Sequence, residues 1–457
     1  MTTSPEPKTV SIHTRGSLSK DRLENELPDK KPLYSKAEAR AEADRCLYCA
    51  DAPCIKACPT EIDIPTFIKK IASGNVRGSA RTIFEQNLLG YSCARVCPVE
   101  VLCVGDCVYN GWGREPIQIG RLQRYATETA TKDASRPVLS KKVDLASGKK
   151  KVACIGAGPA SLAFAGTLAL AGHEAVVFEK RAVAGGLNTT GIAPYKLHAH
   201  DALHEVAFVE GLGVEVKTGI DVGGDDGPGR ISAKKLLDSY DAVFIGVGLG
   251  ADSKLGIPGE DGPGVLGATA WIEEMKLEMT RAHREQIAGK RVLVIGGGNT
   301  AIDVARECAL LGAADVAMVY RRGAADMSGY EHEMSGARKE GVRLVTHATP
   351  VAFVRDAAGK LGGLRVKGTA EQGEYEIPCD FVAVAIGQSK LREVAKELGG
   401  IELDAKGCVV ADPKDGATGN PKVFAGGDCI NGGKEVVNAV ADGRNAARTL
   451  LARWGQK

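Results

Sequence analysis

A chain of 457 residues is too long for one ordinary core, and at about 100–200 residues per domain it divides into three units. Lys plus Arg at 59 against Asp plus Glu at 57 leaves a net charge of +2, which excludes a nucleic-acid or membrane-surface role resting on charge alone. Apolar content of 44% and charged content of 25% are ordinary for a globular chain, while 57 glycines suit folds whose backbone turns tightly or approaches phosphate.

Residues 1–31 are polar, with Pro5, Pro7 and Pro28 and no charged-then-apolar leader, and read as a flexible N-terminal arm of a cytoplasmic protein. An α-helical domain is expected over 32–150, ending in a polar, basic linker from Pro137 to Lys150. Lys36–Arg45 is rich in helix formers, and Ile64–Ile71 and Arg77–Gln86 space their apolar residues helically. This domain holds eight of the thirteen cysteines; the others, Cys154, Cys308, Cys379, Cys408 and Cys429, are scattered and read as small buried hydrophobes. Such crowding in a chain without a secretory signal points to metal rather than disulfides.

The first cysteine group is Cys46-Leu47-Tyr48-Cys49, Cys54 and Cys58-Pro59; the second is Cys93, Cys97-Pro98, Cys103 and Cys107. Soft thiolates suit zinc or iron–sulfur clusters. Zinc favours paired CxxC motifs or interleaved histidines. Here there is one CxxC, no nearby histidine and two Cys-Pro steps, in which proline ends the local helix and frees the thiolate. The pattern favours iron–sulfur over a zinc knot. Eight thiols can hold two four-cysteine clusters, but the spacing does not force that partition.

From Lys151 the pattern alternates short β-branched runs (Val152–Ile155, Ala175–Phe178, Val243–Ile245, Val292–Ile295, Val316–Val319, Phe381–Ala385) with helical stretches, which predicts parallel sheets. The uncharged run of 21 residues from Val152 to Gly172 is long enough to span a bilayer, but Gly156, Gly158 and Pro159 break it into strand, turn and buried helix. That turn, Gly156-Ala157-Gly158-Pro159-Ala160-Ser161, is a dinucleotide fingerprint with Ser161 in place of the third glycine. Its helix is expected over Ala160–Ala171, and Glu179 stands 23 residues beyond Gly156, where an acid binds ribose hydroxyls. A second fingerprint, Gly296-Gly297-Gly298-Asn299-Thr300-Ala301, begins 140 residues later, with a helix to about Leu311. Its ribose position reads Tyr320-Arg321-Arg322, and arginine there suits a 2′-phosphate unless it pairs with nearby acids. Near the end, a strand enters Gly426-Gly427-Asp428, with Glu435, Val436 and Val437 opening a helix that can point its N-terminus at a flavin. Because this element follows the second fingerprint, two doubly wound, Rossmann-like units are expected, the nicotinamide unit (286–390) inserted in the FAD unit (151–285 and 391–457). FAD contacts are expected at Gly156, Gly158, Pro159, Ala160, Ser161, Glu179, Lys180, Gly186, Leu187, Lys196, Gly427, Asp428, Glu435, Val436 and Val437. NAD(P)H contacts are expected at Gly296, Gly298, Asn299, Thr300, Ala301, Arg321, Arg322, Ile386 and Gly387.

Together these motifs resemble the family of glutamate synthase small subunits, dihydropyrimidine dehydrogenases and related flavoproteins, and the resemblance covers nearly everything after residue 30. Ala184-Gly185-Gly186-Leu187 resembles the second flavin-contact loop of two-dinucleotide flavoproteins, and Ala385-Ile386-Gly387-Gln388 the loop where nicotinamide approaches flavin in the family. Arg45 to Thr60, Leu102 to Cys107 and Pro116 to Gln123 are similar to the N-terminal domain of dihydropyrimidine dehydrogenases almost residue for residue. There, one of two 4Fe-4S clusters takes three cysteines and a glutamine; glutamate synthase small subunits tend to carry an acid. The resemblance implies ligands Cys46, Cys49, Cys54 and Cys107 for one cluster, and Cys58, Cys97, Cys103 and Gln123 for the other, leaving Cys93 free. Without it, Gln123 reads as a helix-surface glutamine. The resemblance also implies that pyrimidine reduction takes place on an FMN-bearing, iron–sulfur partner chain, with NADH the expected donor, against the arginine argument for NADPH. Neither nucleic acid nor membrane is an expected partner. The alternatives are a glutamate synthase small subunit, another electron-input flavoprotein, or a redox-sensing or scaffold protein; intact fingerprints argue against the last.

Overall fold

The computed structural model describes residues 18–132, 136–140, 145 and 148–456. Readings that fall on 1–17 of the arm and on 133–135, 141–144 and 146–147 of the linker lie outside the described residues.

The cysteine-bearing domain is a set of short helices whose ends follow local chemistry. Ser35 and Glu38 form a reciprocal capping box at the start of Lys36–Asp44. The Asp63 side chain accepts from Thr66 N ahead of Ile64–Ala72, and Asn75 from Gly78 N ahead of Val76–Phe84. Ile64, Phe67, Ile68 and Ile71 bury one face against Ile83, Leu122 and Ala126. Cys97 closes Gly90–Val96, and Pro98 after it prevents the helix from continuing.

Two five-stranded parallel sheets follow. The first runs, edge to edge, Val423–Ala425, Ala242–Ile245, Lys151–Ile155, Glu174–Glu179 and Val214–Thr218. The second runs Arg343–Val345, Asp315–Val319, Arg291–Ile295, Phe381–Val384 and Val265–Gly267. The chain leaves the first sheet after Ala242–Ile245, builds the second and returns in Val423–Ala425 beside the strand it left, so the second unit is inserted in the first. That unit starts before residue 286: Val265–Gly267 pairs with Phe381–Val384. A three-residue edge strand carries too little periodicity to be seen in sequence. Thr349–Arg355, Leu361–Lys367 and Glu374–Pro378 form an antiparallel sheet whose Phe353, Leu361, Leu364 and Val366 cover one face of the second sheet.

The first sheet is covered on one face by Pro159–Leu170 and Val436–Arg453. Phe164 stacks on Phe244 at 4.4 Å between ring centroids, and burying each such ring stabilises the fold by about 1.5–3 kcal/mol. The two helices approach so closely that a Cβ on Gly443 would come 2.0 Å from the Ala160 carbonyl oxygen.

The described part of the arm, 18–31, is docked. Leu23 and Leu27 are 0% and 4% exposed, in a core with Trp271, Met275 and Ile302. Leu23 N donates to Met279 O at 2.8 Å, the buried Glu24 accepts from Ala199 N at 2.9 Å, and Lys30 pairs with Glu333 at 2.5 Å. Two leucines four residues apart supply an anchor that average polarity hides. Within the linker, Val138 and Leu139 are likewise buried in the first-sheet core.

The helical domain is fixed to the first sheet unit by buried polar contacts. Glu205 of Ala199–Gly211 accepts from Tyr91 N at 2.9 Å, from Ser92 N at 3.2 Å and from the Ser92 hydroxyl. It thereby caps the first turn of Gly90–Val96, where backbone N–H groups lack helical partners. Arg444 of the last helix donates to Gln86 O at 3.1 Å and to Thr60 O.

Candidate functional site

Cys46, Cys49, Cys54 and Cys107 line one small cavity with Ile64, Ile68 and Ile119. Pro53 starts the short helix Pro53–Lys56 that carries Cys54, and Cys107 caps Val108–Gly111. Burial, then the charges of Cys46, Cys107 and Cys49, push the Cys54 thiol up to about 12. Four thiols gathered in one apolar cavity are a donor set that a cationic metal core stabilises as thiolates.

Cys58, Cys97 and Cys103 form a second group: burial, then Cys97, Cys58 and Cys54, raise the Cys103 thiol. Cys54 of the first group acts on the Cys103 thiol, so the two groups are neighbours. A hydrogen bond with Cys93, then burial, raises Cys97. Cys58 Sγ lies 3.3 Å from Thr60 Oγ1. Gln123, on Ile119–Thr131, is 8% exposed and thus not a surface residue. Its Nε2 donates to Gly90 O at 2.8 Å, and its Oε1 accepts no hydrogen bond among the described residues.

A single cavity of about 430 Å³ collects most of the expected flavin contacts: Gly156, Gly158, Pro159, Ala160, Glu179, Gly186, Leu187, Lys196, Gly427, Asp428, Glu435 and Val436. Asn299 and Thr300, in the first turn of Asn299–Leu310, open onto it from the second sheet unit, and Val96 and Pro98 border it beside Cys97. Gly156 sits at φ +86°, and a Cβ there would come 2.8 Å from Gly246 O; a Cβ on Gly186, at φ +57°, would come 2.8 Å from Gly158 Cα. Bare backbone therefore walls the phosphate end, as a dinucleotide pyrophosphate requires. The Glu179 carboxylate ends its strand and accepts from Ala157 N and Arg181 N, both at 2.8 Å. These residues fit an FAD.

Several expected contacts lie off this cavity. Ser161 packs under Gly246, whose Cβ would meet Ser161 Oγ at 2.1 Å, so it performs the close helix–strand packing of the third glycine. Lys180 is exposed, Val437 is buried in the core of the helical domain, and Ala301 in that of the second sheet unit. Gly296, at φ +150°, lies against Ala385 O, Gly298 faces Ser328, and Ile386 and Gly387 (φ +113°) are at the surface, with Gln388 reaching the cavity instead. Arg321 is exposed and makes no ion pair among the described residues, whereas Arg322 donates to Tyr320 Oη at 2.6 Å. Of the two arginines, Arg321 is thus the one without an ion pair or side-chain partner among the described residues.

Sequence reasoning missed Asp303, Tyr330 and Glu333. Lys196 pairs with Asp303 at 2.7 Å and with Glu333 at 3.1 Å. Burial opposes the Lys196 charge, but both carboxylates outweigh it and raise its pKa. Burial likewise opposes ionisation of Glu333, but Lys196 and Lys30 hold it down at about 2. Tyr330 Oη donates to Glu435 Oε1 at 2.9 Å across the two sheet units. Asp303 lies one turn beyond Asn299 on the fingerprint helix and was within reach of periodicity; Glu333 and Tyr330 carry no local signal.

Comparison with known proteins agrees with this geometry. Residues 23–135 match the family described as dihydropyrimidine dehydrogenase domain II, 4Fe-4S cluster, and residues 150–443 match pyridine nucleotide-disulphide oxidoreductase. The glutamate synthase (NADPH) small chain of Halomonas elongata is 37% identical, covering 93% of this chain and 95% of its own length. The NAD-dependent dihydropyrimidine dehydrogenase subunit PreT of Escherichia coli is 33% identical, covering 93% and 97%. The crystal structure of T. acidophilum thioredoxin reductase, at 21% identity, superposes with a TM-score of 0.54 over 67% of this chain and 99% of that one, and so shares the fold of the two sheet units. No helix among the described residues is long and apolar enough to cross a membrane. The chain belongs to the pyridine nucleotide-disulphide oxidoreductase family and is an NAD(P)H-dependent FAD oxidoreductase with a 4Fe-4S domain at its N-terminal end.

Proposed function

We propose that the chain is the electron-input subunit of a dihydropyrimidine dehydrogenase, passing electrons from NAD(P)H through two 4Fe-4S clusters to an FMN-containing partner that reduces uracil or thymine to the 5,6-dihydropyrimidine. One cluster is held by Cys46, Cys49, Cys54 and Cys107, the other by Cys58, Cys97, Cys103 and Gln123. An FAD held by the cavity at Gly156, Gly158, Glu179, Gly186 and Asp428 would supply hydride acceptance and one-electron release. The protein orients: Glu179 holds the fingerprint turn, Asn299 and Thr300 bring the second fingerprint to the same cavity, and Val96 and Pro98 join that cavity to the Cys97 cluster. No side-chain acid or base is required for hydride transfer.

The observation that carries this reading is Gln123, buried beside the helix that leads to Cys97, its amide nitrogen tied to Gly90 O and its carbonyl oxygen free to ligate. Gln123→Ala should disturb one cluster and leave the other; iron content and cluster spectra equal to the parent's would remove the assignment. The role itself is tested by copurifying the chain with an FMN-bearing dihydropyrimidine dehydrogenase subunit and following uracil reduction with NADH and with NADPH.

A second reading, a glutamate synthase small subunit, is favoured by relatives of that name at 37% and 35% identity. Glutamine-dependent glutamate formation with a large subunit, without uracil reduction in the first assay, decides for it.

A further inference from the structure

Lys31 is partly buried, and its only side-chain hydrogen bond among the described residues runs from Nζ to Cys97 O at 2.9 Å. No carboxylate pairs with it. Lys30 beside it pairs with Glu333 at 2.5 Å, and Glu100 lies 3.4 Å from His332 instead. The position of Lys31 is built by the helix that bears Gln123. Arg124 donates to Lys31 O and pairs with Asp29 at 2.6 Å, while Arg121 donates to Pro32 O at 3.1 Å. Two arginines thus hold the backbone at and just after a lysine whose ammonium ends on a cysteine carbonyl.

An ammonium drawn out of water beside one carbonyl is only partly compensated by Glu100 and Glu333, which act on its charge without forming an ion pair with it. The remaining negative charge is supplied by the proposed ligand set, on which this argument rests: three thiolates and a neutral amide around a 4Fe-4S core give a net negative group. That charge grows by one when the group takes an electron. A fixed cation stabilises the more negative state more, and so raises the reduction potential. The other cysteine cavity differs: Asp106 lines it, and no lysine or arginine does.

We propose that Lys31 is a positioning residue for electron flow that raises the reduction potential of the cluster held through Cys97, leaving the Cys46–Cys107 cluster unaffected. The step it favours is a one-electron transfer from the bound flavin, in which no bond to Lys31 forms or breaks.

The test is potentiometric titration of the intact holoenzyme, each cluster followed by electron paramagnetic resonance, with iron and FAD content as controls for folding. Lys31→Gln keeps a donor for Cys97 O and removes the charge; Lys31→Arg keeps both. Lys31→Gln should make one cluster at least tenfold harder to reduce, a shift of about 59 mV for one electron, and Lys31→Arg should stay within threefold of the parent. Should Lys31→Gln lose iron, Lys31→Met gives the same reading of charge removal. Cys97→Ser, run in parallel, should abolish or alter the signal that Lys31→Gln shifts. If Cys97→Ser changes one signal while neither charge-removing variant moves a midpoint, the ligand set stands and the role of Lys31 falls. If Cys97→Ser leaves both signals intact, the ligand set itself falls. Equal shifts of both clusters would also overturn the proposal.

Discussion

Glu205 offers a sharp test of how the helical domain is held. Its carboxylate, 2% exposed, is supplied by the first sheet unit to Tyr91 N, Ser92 N and the Ser92 hydroxyl of the helix that leads to Cys97. Glu205→Ala strands two buried N–H groups, at about 1–3 kcal/mol each, so a loss of roughly 3–5 kcal/mol is expected. At a few degrees per kcal/mol this lowers the thermal midpoint by roughly 5–10 °C. Iron should be lost from the Cys97 cluster before FAD is lost. Glu205→Gln behaves differently, because one amide oxygen can accept both N–H groups while its NH2 donates to Ser92 Oγ. Burial pushes Glu205 up to about 7 despite the donors from Ser92 and Tyr91. Its folded pKa therefore lies above the unfolded value of about 4.5, and the parent loses stability as pH rises from 4.5 through 7. At 1.36 kcal/mol per unit that loss is about 3 kcal/mol, and a glutamine does not suffer it. Thermal midpoints of parent, Glu205→Gln and Glu205→Ala between pH 5 and 8 should show the glutamine variant gaining on the parent up to about pH 7 and then running parallel. A glutamine variant that falls with the alanine variant at every pH, or an alanine variant with unchanged midpoint and iron, would refute the reasoning.

Four further outcomes follow from the same structure. Gly443→Ala drives a methyl into the Ala160 carbonyl and must part the last helix from the fingerprint helix; purified protein should retain less FAD, measured by absorbance. Lys196→Met leaves Asp303 and Glu333 without their partly shared cation, and breaking such a buried network costs about 3–5 kcal/mol, visible as a fall in thermal midpoint that Lys196→Arg largely avoids. Cys93→Ser should keep the parent's iron content while Cys97→Ser does not; equal losses would make Cys93 a ligand. Arg321→Ala should raise KM for NADPH about tenfold or more and change KM for NADH little, since a 2′-phosphate contact is a charge-assisted hydrogen bond of roughly 1.5–3 kcal/mol; equal effects on both coenzymes would remove the arginine from the ribose site.

How much of this was legible in the sequence depended on the range of the interaction. The fingerprint strands and helices were, because a buried parallel strand and a glycine turn leave their marks within a dozen residues: the expected Val152–Ile155 and Ala301–Leu311 are observed as Lys151–Ile155 and Asn299–Leu310. The cysteine groups were legible through Cys-Pro spacing, yet their division needed a resemblance, since Cys107 joins Cys46 across a loop no local pattern predicts. Gln123 was invisible as a buried residue because its neighbours Arg121 and Arg124 made its helix look solvated; both arginines instead hold the arm. The arm itself was misread for the complementary reason: Leu23 and Leu27 bury against Trp271 and Met275, partners some 250 residues away. Lys196, Glu333 and Tyr330 meet only in three dimensions.

The docked arm also constrains the order of events during synthesis. Lys30 leaves the ribosome early but must wait for Glu333, which follows 303 residues later, roughly 15–60 s at about 5–20 residues per second. Trp271 and Met275, against which Leu23 and Leu27 bury, emerge earlier but still about 250 residues after the arm, and closing so long a loop is entropically costly. The arm's docking therefore comes late in synthesis, although Phe381–Val384 and Val423–Ala425, which complete the two sheets, follow Glu333. A chain interrupted before Glu333 lacks the carboxylate that holds Lys30, next to the lysine whose ammonium reaches Cys97 O.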